Sequence, residues 1–497
     1  MGKRRDDITN EARAQIALGV LAPDRQYGEV TRLAEDHGVS RQTVYEMARK
    51  GAAVLLAGLT PGAHGPVPQP HDLNVDQNRL LRSIVVLTEA GVSQRDIEVC
   101  LTEMLDTRVS PAWVNGVVAQ MEQRAAQVNA DWQPEIHEIL SGDEIYANGA
   151  PNLLVVGNTS LYIYALSREM ACDAETWACV LWDSPVTPQF ASDGGLGLAA
   201  GARLVGQGVH QLDWDHLLRP LWGQAARLER QAYAALEALQ ARAAQFDRAH
   251  TPKRLANHLQ AWEKLAAEVE VALGRYDAFV AIARQVDAQF ALIDLATGTV
   301  RNPQHATATL RDLGQQLSSW AGRIYQKLSS NLCQWAETLF TYVPLLEAAL
   351  QPLRDQWGDT VVRALSRMWQ VEANAKRHPL TLPERQAQQQ IWEASLDKAV
   401  AQPGDEHLWT VWEALAQVLA CSWRGSMLAE CVNSLLRPRL NARKHTDQGC
   451  LELFRFLHNV RPFKRGKRAQ HSPAQLVGLD VPDDPLILLG LMPKVSI

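Results

Sequence analysis

Three short apolar segments, EILSGDEIY (138–146), NLLVVG (152–157) and LYIYAL (161–166), decide the fold class of the central part of the chain. Turn-forming residues, Asn-Gly at 148–149 and Asn-Thr at 158–159, separate the segments. Short apolar runs that alternate with such turns are typical of neighbouring strands joined by tight connections. The segments therefore predict a three-stranded antiparallel sheet.

The sequence that follows predicts that this sheet continues and that helices pack on it. A helix is expected at 174–182, because Asp173 precedes it as a candidate N-cap. A strand is expected at 189–192, before the glycine-rich helix start GGLGLAAGAR (194–203), and another short strand at 209–212. The order of strands and helices indicates an α/β layer.

Length and composition limit the class of protein. The chain has 497 residues, more than one hydrophobic core usually contains, so several domains are expected. Its 46% hydrophobic and 21% charged residues are typical of folded proteins and exclude a largely disordered chain. No apolar run is long enough for a membrane span, and the seven cysteines include no C-x-x-C pair. We therefore expect a cytoplasmic protein with no membrane partner, no zinc knuckle and no disulfide framework.

The stretch VTRLAEDHGVSRQTVYEMARKG (30–51) has the residue pattern of a helix-turn-helix unit. Small Ala34, turn-forming Gly38, apolar Val39 and capping Ser40 stand at the spacing that such a unit requires. The second helix of the unit lies in the major groove of DNA. The candidate DNA contacts are Arg41, Gln42, Thr43 and Tyr45. An ordinary helical hairpin is the alternative.

A Pro- and Gly-rich stretch, TPGAHGPVPQPH (60–71), predicts a linker because it cannot sustain a helix or a strand. Beyond it, residues 78–126 repeat the first pattern, with Gly-Val-Ser (91–93) between two helices and Ser-Pro (110–111) before a third. Arg95 is the candidate DNA contact of this second unit. Two such units in tandem read a longer DNA site than one. The alternative is a helical bundle used for dimerisation.

Residues 217–425 have apolar side chains at three- and four-residue spacing, which is typical of amphipathic helices. Eleven of the fifteen tryptophans lie between Trp214 and Trp423, and we expect them to be core residues rather than stacking surfaces. The region is therefore predicted to be a large all-helical domain.

Two aspartates, Asp143 and Asp193, stand at the ends of apolar runs that the expected layer places side by side. Adjacent carboxylates repel each other unless a cation neutralises them, so the pair predicts a divalent metal site. A third acid is expected from a helix at the edge of the sheet. Glu430 is the best candidate, because Glu430, Asn433 and Arg437 share one helix face beside a basic segment.

Other polar residues near these acids have less specific interpretations. Glu144 adjoins Asp143, but a strand directs neighbouring side chains to opposite faces, so only one of them is expected at the site. His210, Asp213 and His216 are interpreted as ordinary polar groups at a strand end. The rivals for the third acid are Glu413, Glu393 and Glu347, which are otherwise exposed helix acids.

Positive charge is concentrated late in the sequence, although the net charge of the chain is −6. Residues 421–470 contain eleven Lys or Arg and three acids. A polyanion such as DNA would bind first at this segment. The candidate DNA contacts are Arg437, Arg439, Arg443, Lys444, Lys464, Arg465, Lys467 and Arg468.

Taken in order, these features resemble the bacterial insertion-sequence transposases of the DDE type. The matching motifs are GDEIY (142–146), SDGGLGLAAG (192–201), E-x-x-N-x-x-L-R (430–437) and HNVRPFKRGKRAQHSPAQLVGL (458–479). The resemblance covers residues 135–215 and 420–480 and the helix-turn-helix segment. Similar transposases have a helical domain between the second and third acids, which fits the position of Glu430, 237 positions after Asp193.

The resemblance implies an RNase H-like catalytic core in which Asp143, Asp193 and Glu430 are the catalytic, metal-binding triad. It implies two Mg²⁺ ions, with Mn²⁺ as a substitute, and phosphoryl transfer at DNA phosphodiesters. The implied partners are double-stranded DNA, as terminal repeats and as target, and further copies of the chain in a homodimer or larger homo-oligomer. Such a protein acts at the nucleoid.

The expected fold class is mixed and helix-rich, with helix-turn-helix units and an RNase H-like α/β core that is interrupted by a large all-α insertion. The expected domains are a helix-turn-helix domain (1–60), a linker (61–75), a second helix-turn-helix-like domain (76–130), the first part of the catalytic core (131–216), the helical insertion (217–425), and the final core helix with a basic C-terminal tail (426–497).

The predicted function is DNA transposition by cleavage at the ends of an element and transfer of the strands into target DNA. One alternative is a domesticated transposase that binds DNA as a regulator without catalysis. The three acids disfavour this alternative, because a protein that only binds DNA has no need of carboxylates beside phosphates. The other alternative is an RNase H-like nuclease that cleaves DNA but does not join it.

Overall fold

A computed structural model describes residues 8–22, 28–59, 76–135, 138–245, 251–377, 381–401, 407–422, 424–442 and 446–493. The chain divides into two compact units, Met1–Val75 and Asp76–Ile497. The predicted linker, together with Trp423, Arg443 and Lys444, lies outside the described residues.

In the described part of the N-terminal unit there are three helices, α1 (Asn10–Leu21), α2 (Glu29–Asp36) and α3 (Arg41–Leu59). The turn between α2 and α3 requires a glycine, because Gly38 has a φ of 66°. Ser40 caps α3, and its hydroxyl accepts a hydrogen bond from the N–H of Thr43 at 3.1 Å. The helix, turn and cap predicted for this segment are thus present.

The second unit begins with three capped helices, α4 (Gln77–Glu89), α5 (Gln94–Leu105) and α6 (Pro111–Asp131). Ser93 and Ser110 cap α5 and α6 through hydrogen bonds from backbone N–H groups three residues later. These are the helix starts that the sequence predicts.

The sheet has five strands in the spatial order β3-β2-β1-β4-β5. The strands are β1 (Leu140–Ala147), β2 (Ala150–Gly157), β3 (Ile163–Arg168), β4 (Gln189–Ser192) and β5 (Val209–Leu212). The first three form an antiparallel meander, whereas β4 pairs in parallel with β1 and β5 in parallel with β4. The predicted meander and both later strands are confirmed.

Helices cover both faces of the sheet. The helices α7 (Ala174–Trp182) and α8 (Leu196–Leu204) pack on one face, where Leu198 of α8 lies next to Gly142 of β1. The helices α17 (Met427–Ala442) and α18 (Gln448–Val460) pack on the other face, where they share a core with β1, β2 and β3. Asp173 caps α7, as predicted.

Between β5 and α17 the chain forms a helical region with its own core. Its helices are α9 (Asp215–Ala243), α10 (Pro252–Ala288), α11 (Pro303–Ser318), α12 (Arg323–Trp335), α13 (Val343–Trp357), α14 (Asp359–Arg377), α15 (Leu382–Val400) and α16 (Leu408–Ala420). Eight tryptophans pack against this core, as expected, and Trp409 is an exposed exception. The helical character predicted for residues 217–425 is confirmed for the described residues.

The helix α18 was not predicted from the sequence, in which residues 426–497 were interpreted as a final core helix and a basic tail. The helix α18 is amphipathic and packs on α6 and β3. After it, α19 (Pro473–Leu476) and a short 3-10 helix (Pro485–Leu489) follow. Among the described residues, no helix is both long and apolar enough to cross a membrane.

Candidate active site

The pairing of β1 with β4 brings the two predicted aspartates to the same level of the sheet. Ser141 pairs with Ala191, and Asp143 and Asp193 each follow two residues later. Asp143 lies within β1, four residues before its end, whereas Asp193 directly follows β4, so both aspartates stand just beyond the segment in which the two strands pair. The side-by-side placement predicted from the sequence is therefore present.

Each aspartate is held by short hydrogen bonds. Asp143 Oδ2 accepts from Asn433 Nδ2 of α17 at 2.6 Å, and Asp143 Oδ1 accepts from the N–H of Glu144 at 2.9 Å. Asp193 Oδ1 accepts from the N–H of Gly195 at 3.0 Å. The chain turns sharply after Asp193 because Gly194 has a φ of 90°, a value that favours glycine.

Glu430 lies in the first turn of α17 and is half-buried. Its Oε1 is 3.7 Å from a guanidinium nitrogen of Arg219, which also pairs with Asp215 at 2.6 Å. Its negative charge acts on Asp143. Glu430 is thus the candidate third acid, near enough for its charge to act on Asp143.

The rivals of Glu430 have other surroundings. Glu347 is ion-paired with Arg354, and Glu393 accepts a hydrogen bond from Gln389. Glu413 is exposed on α16.

Two carboxyl groups of the site have strongly raised pKa values. Burial raises the pKa of Asp143 to about 6; the charges of Asp193 and Glu430 act in the same direction, against the hydrogen bonds from Glu144 and Asn433. Burial, followed by the charges of Asp193 and Asp143, raises the pKa of Glu144 to about 7. Like charges held together in a partly dry site favour protonation unless a cation is bound.

The position of Glu144 corrects one expectation. The side chains of β1 do alternate, since Gly142 faces α8 whereas Asp143 faces α17. The Glu144 carboxylate nevertheless lies close to Asp193, because Glu144 Oε1 and Asp193 Oδ1 both come within 3.6 Å of the point where a Cβ on Gly195 would stand. Glu144 therefore belongs to the acidic site together with Asp143.

The donor set fits a divalent cation that prefers hard oxygen ligands. Glu144 Oε2 is buried and has no hydrogen-bond partner, which leaves a buried acceptor available to a cation. Within the described ranges, no three His, Cys, Asp or Glu side chains already form a group arranged to hold a metal ion. The acids would therefore have to approach one another to share an ion.

The structure gives Asp213 a larger role than the ordinary strand-end polar group that the sequence predicts. Asp213 is 1% exposed and binds the start of α17 through Ser426, so it is more than an ordinary polar group at a strand end. Burial acts to raise its pKa, but hydrogen bonds from His216, Asp215 and Ser426 outweigh this effect and hold the pKa below its usual range. The available signal was an acid directly after a predicted strand, in HQLDWDH (210–216).

The candidate DNA contacts differ in whether their side chains are exposed or already hydrogen-bonded within the protein. Thr43 is half-buried, and its hydroxyl lies 2.8 Å from that of Ser40. Arg439 donates to the carbonyl of Glu89, and Arg468 donates to the carbonyls of two residues in the β2–β3 turn. The exposed candidates are Arg41, Gln42, Tyr45, Arg95, Arg437, Lys464, Arg465 and Lys467.

Comparison of the chain with models of known protein families finds no match, and comparison with curated proteins finds none either. The case for a function therefore depends on the arrangement of the residues themselves.

Proposed function

We propose that the protein is a DNA transposase of the DDE type, which cleaves DNA at the ends of an element and joins the freed ends to target DNA. The observation that carries this proposal is the placement of Asp143 and Asp193 at the same level of two neighbouring parallel strands, with Glu430, on a helix more than two hundred positions later, near enough for its charge to act on Asp143.

The architecture supports the same proposal. A central strand with an antiparallel meander on one side and two parallel strands on the other is the sheet order of an RNase H-like core, and α17 packs on one face of this sheet. The helices α9–α16 stand where similar transposases have an insertion. The helix-turn-helix of α2 and α3, with Arg41, Gln42 and Tyr45 exposed, supplies a surface suited to DNA.

The acids suit metal-dependent phosphoryl transfer. Bound Mg²⁺, or Mn²⁺ in its place, would activate the attacking oxygen and stabilise the leaving oxygen at a phosphodiester. Asp143, Asp193 and Glu430 would hold the ions, and Glu144 offers a further oxygen. Asn433 orients Asp143 by donating to one of its oxygens. The attacking group is water or a DNA 3′-hydroxyl, so no protein nucleophile is needed.

The proposal is tested with a plasmid that carries the DNA flanking the coding sequence. Asp143→Asn and Asp193→Asn should each abolish Mg²⁺-dependent cleavage and leave DNA binding largely unchanged, because the cation ligand is lost while the exposed DNA-binding residues are kept. The matched control is Glu393→Gln, which removes an exposed carboxylate in α15 and should cleave like the wild type. Full cleavage by either aspartate variant would contradict the proposal.

The reaction products distinguish a transposase from a nuclease and from a DNA-binding regulator. Joining of the cleaved ends to a second plasmid is the result expected for a transposase. Cleavage without joining would indicate a nuclease, and sequence-specific binding without cleavage would indicate a regulator.

A further inference from the structure

The start of α17 is attached to the end of β5 by one buried carboxylate. Asp213 Oδ2 accepts hydrogen bonds from the N–H and the hydroxyl of Ser426, at 3.1 and 2.8 Å, and lies 3.3 Å from His216 Nδ1. Asp213 Oδ1 accepts from the N–H of Asp215 at 2.8 Å. Groups of the protein thus bind both oxygens, which distinguishes Asp213 from an acid that is available to a cation.

The chain fits closely around this attachment. A Cβ on Gly425 would lie 2.5 Å from Asp213 Oδ1, so a larger residue at position 425 would displace the carboxylate. The guanidinium of Arg424 lies 4.2 Å from the centre of the Trp214 ring, and the N–H of Trp214 donates to the carbonyl of Arg424. The two segments that border the helical region are therefore bound directly to each other.

A second attachment lies further along the same face of α17. Ser426, Glu430 and Asn433 stand at positions i, i+4 and i+7, so they share one helix face. Ser426 is bound to Asp213 after β5, and Asn433 is bound to Asp143 on β1. In the sheet, β4 lies between β5 and β1, and along α17 Glu430 stands between the two attached residues.

We propose that Asp213 is a positioning residue that fixes the first turn of α17, and with it Glu430, at the acidic site. The inference rests on the proposed metal-dependent function of that site. Loss of the Ser426 hydroxyl would weaken the attachment and let Glu430 leave the site more often. Groups that orient metal ligands typically change metal affinity by about 10- to 100-fold when they are removed.

The test uses the full chain with Ser426→Ala and Asp213→Asn, two changes that nearly preserve side-chain volume. Ser434→Ala is the matched control, because the hydroxyl of Ser434 donates to Cys431 within α17 and has no part in the attachment. Mn²⁺ binding is measured by calorimetry without DNA, and the Mg²⁺ dependence of cleavage is measured in parallel. Hydrogen exchange reports on the N–H of Glu430, which donates to the carbonyl of Ser426.

Both variants should bind Mn²⁺ about 10-fold more weakly than the wild type and should show faster exchange at the start of α17, whereas Ser434→Ala should match the wild type. Unchanged Mn²⁺ affinity in the variants would overturn the inference, even if their melting temperatures fell, because Asp213 would then support only the fold. Wild-type protein that binds Mn²⁺ but cleaves no DNA would instead contradict the proposed function.

Discussion

At the scale of single residues, Glu144 shows most clearly that ionised acids in the site are unfavourable to the folded state. Its pKa is raised from 4.5 to about 7 by burial and by its acidic neighbours, and its Oε2 has no hydrogen-bond partner. A carboxyl group with a raised folded-state pKa favours the folded state at low pH and loses this contribution as the pH rises from about 4.5 to about 7.

Glu144→Gln should therefore stabilise the metal-free protein at pH 8, because it removes a charge that is unfavourable in the folded state and breaks no hydrogen bond of the buried oxygen. The melting temperature should rise by a few degrees at pH 8 and by less at pH 5. Thermal unfolding in the presence of a chelator measures both values.

The control for this prediction is Glu393→Gln, an exposed acid that should leave the melting temperature unchanged at both pH values. A lower melting temperature for Glu144→Gln at pH 8 would mean that the ionised carboxylate has a stabilising partner in the metal-free protein. The interpretation of Glu144 as a buried acceptor that is available to a cation would then be wrong.

At the scale of helices, α3 is predicted to contact the edges of DNA bases. Arg41→Ala or Gln42→Ala should weaken binding to the flanking DNA by about 1 to 3 kcal/mol while affecting shuffled DNA of the same composition less. The reason is that a contact to a base edge contributes only when the correct base is present. Titrations of both DNAs by fluorescence anisotropy measure the difference.

Arg49→Ala serves as the control within α3, because Arg49 is exposed but lies about one turn beyond Tyr45, the last of the predicted contacts. It should change the affinity for both DNAs equally, if at all. Equal losses for Arg41→Ala on the two DNAs would show that α3 binds phosphates rather than bases.

The basic loop, residues 461–471, follows α18 and is predicted to bind DNA phosphates. The N–H of Phe463 donates to the carbonyl of His471, and Arg468 is bound to the β2–β3 turn, so the loop is held against the sheet. Lys464, Arg465 and Lys467 remain exposed on it. Of the four positive charges that the sequence predicts to contact DNA here, three are therefore exposed and could contact a polyanion.

Changing Lys464, Arg465 and Lys467 together to alanine should lower affinity for all DNA sequences. If all three touch phosphates, the slope of log affinity against log salt should shrink by about 2 to 3, since each contact contributes about 0.9 on duplex DNA. Titrations at several salt concentrations give the slope. The control triple variant, Lys253, Arg254 and Lys264 to alanine, removes the same charge from α10. Equal slopes for both triple variants would place the DNA away from the basic loop.

At the scale of the whole molecule, the C-terminal segment, residues 484–492, binds α4 to the rest of its unit. Arg82 of α4 is 7% exposed, pairs with Asp484 and donates to the carbonyl of Met492 at 2.8 Å. Asn78, one turn earlier, exchanges two hydrogen bonds with the backbone of Met492. Contacts of this kind make the helices of residues 76–131 part of the same compact unit as the sheet.

Arg82→Ala should destabilise this unit by about 3 kcal/mol, because it removes the ion pair with Asp484 and one of the hydrogen bonds to the Met492 carbonyl from a buried side chain. Chemical denaturation followed by tryptophan fluorescence measures the loss. Arg79→Ala, on the same helix but exposed, is the control and should change stability by less than about 0.5 kcal/mol. Equal stability of the two variants would show that the C-terminal segment does not hold α4.

The sequence by itself was sufficient for the local elements. The strands β1, β2, β4 and β5, the capped helices α3, α5, α6 and α7, and the helical nature of residues 217–425 follow from short-range signals, namely apolar period, turn residues and caps. Asp143, Asp193 and Asn433 were also identified from the sequence, because acids next to short apolar runs and polar residues on one helix face have recognisable local patterns.

Only the tertiary structure decided how distant segments meet. Asp213 and Ser426 are separated by the whole helical region, and no local pattern shows that one binds the other. The same holds for the packing of α18 on α6, the pairing of Arg82 with Asp484, and the approach of Glu144 to Asp193. These contacts depend on hydrogen bonds and burial between residues far apart in the chain, and such interactions exist only once the segments have packed.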